Sequence, residues 1–241
     1  MEDLCDLLFE LSSTERMGIL MSLIDENLRL STISQKLDIT VTETSRHLQR
    51  LSDVQLIQRE NDGRYSLTKY GSLAIFLLKD LKFIAKNRQY FLDHDVTNLP
   101  VQFVNRLGEL VDSEYEVDAV KVIDRVTHIL DNAEEYIWSH SYHILPAHVT
   151  ILEKKVEKEV DFRGIYPMDY KLSSIIANRL RFVDKIELRL LVTEKEAMCG
   201  FLSSSGHPDY STFFSRDPVF INLCRDIHRY YWGKASKRNQ D

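Results

Sequence analysis

The stretch from Leu30 to Gly71, LSTISQKLDITVTETSRHLQRLSDVQLIQRENDGRYSLTKYG, constrains the fold more than any other part of the chain. Ser31, or Thr32 with Gln35, is a candidate cap for a first short helix, in which Ile33 and Leu37 share a face. Asp38-Ile39 makes a turn. Thr40 then caps a second helix, with Glu43 at capping-box spacing. In that helix Thr44, Leu48 and Leu51 fall on one face, with His47 at its border, and Val41, Thr42, Ser45, Arg46, Gln49 and Arg50 fall on the other. The outward set mixes hydroxyls, an amide and guanidinium groups, which suits base edges and phosphates. Leu56–Glu60 and Arg64–Leu67 read as two strands around the turn Asn61-Asp62-Gly63, where Gly tolerates positive φ. The pattern predicts a helix-turn-helix followed by a β-wing, with Thr32, Val41, Thr42, Ser45, Arg46, Gln49, Arg50, Arg59, Asn61 and Arg64 facing double-stranded DNA.

SRHLQRL followed by VQLIQRENDGRYSLTKYG resembles the winged helix of arsenic-repressor-like and multiple-antibiotic-resistance-like regulators, which carry a similar S-x-H-L-x-x-L helix and a closing L-T-x-x-G. Val54-Gln55 stands where those families usually have Ala-Gly. The C-terminal run LLVTEKEAMCGFLSSSGHPDYSTFFSRDPVFINLCRDIHRYYW resembles the ending of methanogenesis-regulatory-type sensor domains, which an archaeal group of regulators joins to such a winged helix. That resemblance implies a distant likeness to phospholipase D-like folds and a transcriptional regulator as the function.

The chain before the winged core reads as an apolar, acidic helix over Met1–Leu11. A support helix follows, capped by the Ser12-x-x-Glu15 box and carrying Met17, Leu20, Leu23 and Ile24. Thr68 caps a helix expected to run from Lys69 to about Asp93, roughly 35–40 Å at helical rise. Its apolar residues, Leu73, Phe76, Leu77, Leu81 and Ile84 among them, cover more than one face. The expectation is a homodimer formed through this helix, since helix-turn-helix proteins commonly read two-fold sites. Asp93–Pro100 is a linker by its turn formers, Val101–Leu110 an amphipathic helix, and Glu109–Glu116 an exposed acidic link.

From Val117 the pattern alternates. Helices are expected around Val120–Leu130, Pro146–Glu159, Tyr170–Leu180 and Pro218–Trp232. Strands are expected at Tyr136–His140, Val160–Tyr166, Lys185–Thr193, Met198–Ser203 and Tyr210–Phe214. Strands separated by helices imply a mostly parallel sheet. The expected layout is therefore mixed α+β and α/β. A winged helix-turn-helix covers 1–67, a linker and dimerisation helix 68–100, and a mostly parallel α/β effector-sensing domain 101–241, phospholipase D-like without its catalytic motif.

Net charge of −6 argues at first against DNA, but Leu30–Tyr90 carries ten Lys/Arg against six Asp/Glu. The cysteines Cys5, Cys199 and Cys224 have neither metal nor redox spacing. No apolar run suits a membrane and no signal-peptide pattern opens the chain, which together point to a cytoplasmic protein. Phospholipase-type chemistry needs a lysine two residues after a histidine, and none of the eight histidines has one. No phosphate loop or nucleophile elbow is present either, so no enzyme activity and no cofactor are expected. The rival is a catalytic or nucleotide-processing protein that uses the winged helix only for docking. His140, His143 and His148 cluster but lack further ligands, so no metal is expected. Small molecules bind open α/β sheets at the carboxyl ends of strands. This places a small-molecule effector among Trp138, His140, Tyr142, His143, Arg163, Tyr166, Ser203, Ser204, His207 and Asp209.

Overall fold

The computed structural model describes residues 2–172, 174–205 and 209–237. The chain divides into two compact units, Met1–Lys79 and Asp80–Asp241.

The first unit begins with α1 (Glu2–Leu11) and α2 (Thr14–Ser22). Arg16 donates from Nε to the Glu10 carbonyl and from Nη2 to the Phe9 carbonyl, so its guanidinium satisfies carbonyls that the end of α1 leaves open. Ser13, one residue later than the expected box, caps α2 by accepting from the Arg16 amide. α3 (Leu30–Leu37) is preceded by Arg29 without a side-chain cap, so Ser31 and Thr32 lie inside the helix and not at its cap. Asp38 closes it in the left-handed region at φ 52°, and the Ser34 hydroxyl donates to the Ile39 carbonyl at 2.6 Å. The turn leads to α4 (Val41–Asp53), whose Thr40–Glu43 capping box is complete in both directions. β1 (Ile57–Arg59) and β2 (Tyr65–Leu67) pair antiparallel, and Leu28 makes an isolated antiparallel bridge to Tyr65. Ile19, Leu20, Ile33, Leu48, Leu51 and Leu56 fill the core beneath these elements.

α5 spans Lys69–Lys86, and α6 covers Arg88–Asp93. The single helix expected through Asp93 is therefore broken at Asn87. Its side-chain amide donates to the Phe83 carbonyl at 2.9 Å, a local bond that competes with continued helix. The expected linker through residue 100 is also corrected. Phe83, Tyr90 and Leu99 are buried in the second unit's core, so the division falls within α5, ahead of residue 100.

The second unit is built on one eight-stranded sheet. Its strands are β3 (His94–Asp95), β4 (Glu114–Glu116), β5 (Tyr136–His140), β6 (Asp161–Pro167), β7 (Leu180–Val183), β8 (Leu188–Val192), β9 (Ala197–Ser203) and β10 (Thr212–Ser215). The order is β4-β10-β9-β8-β5-β6-β7, with β3 beside β9. Only β5–β6 and β6–β7 are parallel, so the expected mostly parallel sheet is overturned: every other pairing is antiparallel. The reason is connection length. β8 and β9 are joined by a tight turn in which the Thr193 amide donates to the Glu196 carbonyl, and a short turn can only return the chain antiparallel. Glu114–Glu116, expected as an exposed link, is edge strand β4. Tyr170–Leu180 is not the expected helix. Ser174 takes its own bonds to Glu153 and the Ile176 amide, a single 3-10 turn covers Ala177–Arg179, and β7 follows. Val101–Leu110 likewise splits into α7 (Val101–Val104) and a 3-10 turn at Leu107–Leu110.

α8 (Ala119–Asn132) and α9 (Pro146–Glu157) pack on one sheet face over Ile137, Phe162, Tyr166, Leu191 and Met198. α10 (Pro218–Lys234) covers the other face with Phe220, Leu223 and Ile227 against Trp138, Leu188, Leu190 and Phe213. Alternation along β5 thus sends Ile137 and Ser139 towards α8 and α9, and Trp138 and His140 towards α10.

Candidate nucleic-acid interface and ligand cavity

α4 buries Thr44, Leu48 and Leu51 and leaves Val41, Thr42, Ser45, Arg46 and Gln49 exposed, along the floor of one shallow depression. Arg46 makes no hydrogen bond or ion pair among the described residues, so its planar fork of donors is free to meet an acceptor pair. Gln49 is held lightly by Asp53 at 2.7 Å. Arg50 differs from expectation. Its Nε and Nη2 grip the Glu10 carboxylate at 2.7 Å each, and its guanidinium lies 5.0 Å from the Phe9 ring centre. The Arg50 hydrogen bond holds the Glu10 carboxyl below the usual carboxylate range, with Arg16 adding to it. Arg50 is therefore a tie between α4 and α1 before it is a DNA contact.

The wing presents Asn61, Arg59 and Arg64 on its exposed edge. Arg64 pairs with Asp62 at 3.2 Å, both half-exposed, and Arg59 sits 6.0 Å from the Tyr65 ring centre. Such exposed pairs exchange readily for phosphate. Thr32 is exposed on α3.

The residues expected around an effector do not form one site. Trp138 is buried beneath α10, donating from Nε1 to Asp161 and stacking on His228 at 5.3 Å. Arg163 pairs with Asp161 at 2.9 Å and lies over Trp138 at 4.9 Å. His140 is fully buried on the same face, and among the described residues neither ring nitrogen has a hydrogen-bond partner. Burial pushes its pKa down to about 3, and burial does the same to His228. Ser203, Ser204 and Asp209 lie at the far end of β9, where the Ser204 amide donates to the Asp93 carbonyl and Asp209 meets His94 at 2.7 Å. Tyr142 is half-buried, and burial pushes its phenol up. His207 lies outside the described residues.

Among the described residues, His143 and Tyr166 are the members of that set that line one cavity together. It lies on the α8 and α9 face, has a volume of about 110 Å³, and has apolar walls that include Val126, Leu152 and Phe162. Its polar lining also includes Ser139, Ser141, His148 and Arg189, of which Ser139, Ser141 and Arg189 went unread in the sequence. The signal was available: alternation in YIWSHSY puts Ser139 and Ser141 on one face, and Arg189 interrupts an otherwise apolar strand. His148 bonds Thr127 at 2.9 Å, whereas His140 lies on the opposite face, which separates two members of the histidine cluster.

No family model matches the chain, and no curated protein matches it. Among solved structures it is similar to TrmBL2, an archaeal chromatin protein described with a novel mode of DNA binding: 13% identity, 93% of this chain, 94% of that one, TM-score 0.45. It is also similar to NucT from Helicobacter pylori, at 9% identity over 53% of this chain and 99% of that one, TM-score 0.42. The phospholipase D family member Nuc from Salmonella typhimurium aligns at 12% identity over 54% of this chain and 100% of that one, TM-score 0.40.

Proposed function

We propose that the chain is a cytoplasmic, homodimeric transcriptional regulator of the archaeal winged-helix type, whose first unit binds double-stranded DNA and whose second unit senses a small molecule without transforming it. The observation that carries the DNA reading is α4. Its buried face is fixed by Leu48 and Leu51 and its start by the Thr40–Glu43 box, and the opposite face offers Thr42, Ser45, Gln49 and an unpartnered Arg46. In this reading α4 enters the major groove, Arg46 meets O6 and N7 of a guanine, and the wing's Arg64 follows the backbone or minor groove. Arg46→Ala is expected to cost about 1–3 kcal/mol on the specific site and to relax preference at one base pair. Arg64→Ala is expected to weaken all sequences alike and lower the salt slope by about one unit. Affinities for selected and scrambled DNA over a salt series measure both. An Arg46→Ala protein with unchanged affinity and preference refutes the assignment of α4.

The dimer reading rests on the apolar stripe of α5. Leu73, Leu77 and Leu81 are 56%, 61% and 55% exposed, with Phe76 and Ile84 beside them. Exposed apolar area of this extent along one helix suits a twin helix at i, i+4 spacing. Two copies then read inverted half-sites about 10 base pairs apart or a multiple of that. Leu77→Asp with Leu81→Asp is expected to convert dimer to folded monomer in light scattering at micromolar concentration. A wild-type protein that is already monomeric ends this part of the reading. Turnover of a phosphodiester substrate would overturn the non-catalytic role given to the second unit.

A further inference from the structure

The sheet face beneath α8 and α9 carries one compact polar patch in an otherwise apolar wall. β5 and β8 run antiparallel with Ser139 opposite Leu191 and His140 opposite Leu190, so the next step along brings Ser141 level with Arg189. Ser139, Ser141, Tyr166 and Arg189 all line the cavity. The Ser139 and Tyr166 hydroxyls bond each other at 3.0 Å in its buried floor.

Arg189 is the unusual member. Its side chain is only 11% exposed. Among the described residues its one hydrogen bond runs from Nη2 to the Ser211 carbonyl, and the nearest carboxylate oxygen, on Asp209, stands at 3.8 Å, beyond hydrogen-bond reach. A guanidinium has five N–H donors, and this bond engages one Nη, so donors remain for a ligand at a charge that is largely buried and held by the longer Asp209 pair and the Tyr210 ring at 5.8 Å. Burial pushes its pKa down, outweighing the opposing pull of Asp209. α9 begins beside the cavity with no side-chain cap, and Leu145 and His148 line the wall there, so the positive end of the helix faces the same space.

We propose that this cavity takes a small monocarboxylate with a compact apolar body, its carboxylate on Arg189 and Ser141 and its body against Val126, Leu152 and Phe162. This deepens the sensing role proposed above and rests on that reading for its consequence at DNA. Size limits the body to a short branched chain, since the cavity of about 110 Å³ is smaller than the roughly 150 Å³ that holds a benzene. Charge limits the head to a monoanion. Arg189 is the lone permanent cation in the lining, and burial keeps the neighbouring His148 below its ordinary pKa.

The test uses the full chain with propionate, isobutyrate and isovalerate, each against its uncharged amide, read by melting temperature and calorimetric titration. At least one acid should bind and raise the melting temperature while its amide does not. Arg189→Gln should weaken that acid by about tenfold or more, the loss of a charge-assisted bond, and Val126→Phe should remove binding by filling the space. Binding of no acid, equal binding of acid and amide, or acid binding that survives both substitutions overturns the inference. Because Arg189→Gln could itself unfold the unit, the acid–amide comparison on the unaltered chain decides independently. An acid that binds without changing DNA affinity leaves the site standing and refutes its regulatory role. A different class of metabolite that changes DNA affinity while no acid binds does the reverse.

Discussion

Gly71→Ala is expected to unfold the winged unit, at a cost of about 3 kcal/mol or more, and with it to abolish the DNA binding proposed above. A Cβ built at Gly71 would stand 2.0 Å from the Leu56 carbonyl oxygen and 2.9 Å from its carbonyl carbon. Both are backbone atoms, and Leu56 is fully buried, so neither can give way as a side chain would. The close approach is part of a junction. The Thr68 amide donates to the Leu56 carbonyl and the Thr68 hydroxyl to the Gln55 carbonyl, while the Gly71 amide donates back to the Thr68 hydroxyl. α5 can start only where its third residue has no side chain. Gln55 adds strain at the same place, holding φ 59° in the left-handed region that favours Gly. Gly18→Ala is the control. Its added Cβ would meet only the flexible end of Leu37 at 3.0 Å, so circular dichroism and DNA affinity should change little. A folded, DNA-binding Gly71→Ala protein would falsify the account of the junction.

Acidification from pH 6.5 to pH 5 is expected to destabilise the second unit by about 3 kcal/mol. His140 and His228 are buried with no hydrogen-bond partner on either ring nitrogen among the described residues, and burial lowers both to about 3 from the ordinary 6.5. The unfolded chain therefore takes up protons that the folded unit refuses. Their stabilising contribution is complete above pH 6.5 and is lost progressively as the pH falls towards 3. The surroundings reinforce this sign. Arg163 acts on His228 from one side, aromatic rings of Trp138, Trp232 and Tyr231 pack around the pair, and no carboxylate bonds either imidazole. His148, also lowered by burial, adds in the same direction. The window lies above ordinary carboxylate titration, which keeps the two effects apart. The chain's two tryptophans, Trp138 and Trp232, both lie in this unit, so fluorescence-detected urea unfolding reports it alone. A flat stability between pH 6.5 and 5, or an unchanged slope in the His140→Leu, His228→Phe double variant, contradicts the expectation.

The winged unit was legible because its signals are local. The Thr40–Glu43 box, the helical spacing of Thr44, Leu48 and Leu51 and the Asn-Asp-Gly turn each act within a few residues, and each fixes its own element. The tie that Arg50 makes was not legible, for the opposite reason. The helical position of Arg50 points outward, but Glu10, forty residues earlier, captures it, and no local pattern announces that pair. The second unit resisted in the same way. Apolar runs identified β5, β6, β8 and β9, yet they carry no mark of direction, and the antiparallel pairing was decided by turn length and by which edges remained open. The effector set shows the limit most clearly. Chain proximity grouped Trp138, His140 and His143, but strand alternation sends Trp138 and His140 under α10 and leaves the cavity on the other face to Ser139, Ser141, Tyr166 and Arg189. By itself, then, the sequence determined the helices, turn and wing of the first unit, because those choices follow from short-range hydrogen bonds and periodicity. Which strands meet, which face a side chain enters and which charges are left without partners were decided only by the tertiary structure, because they depend on contacts between residues far apart in the chain.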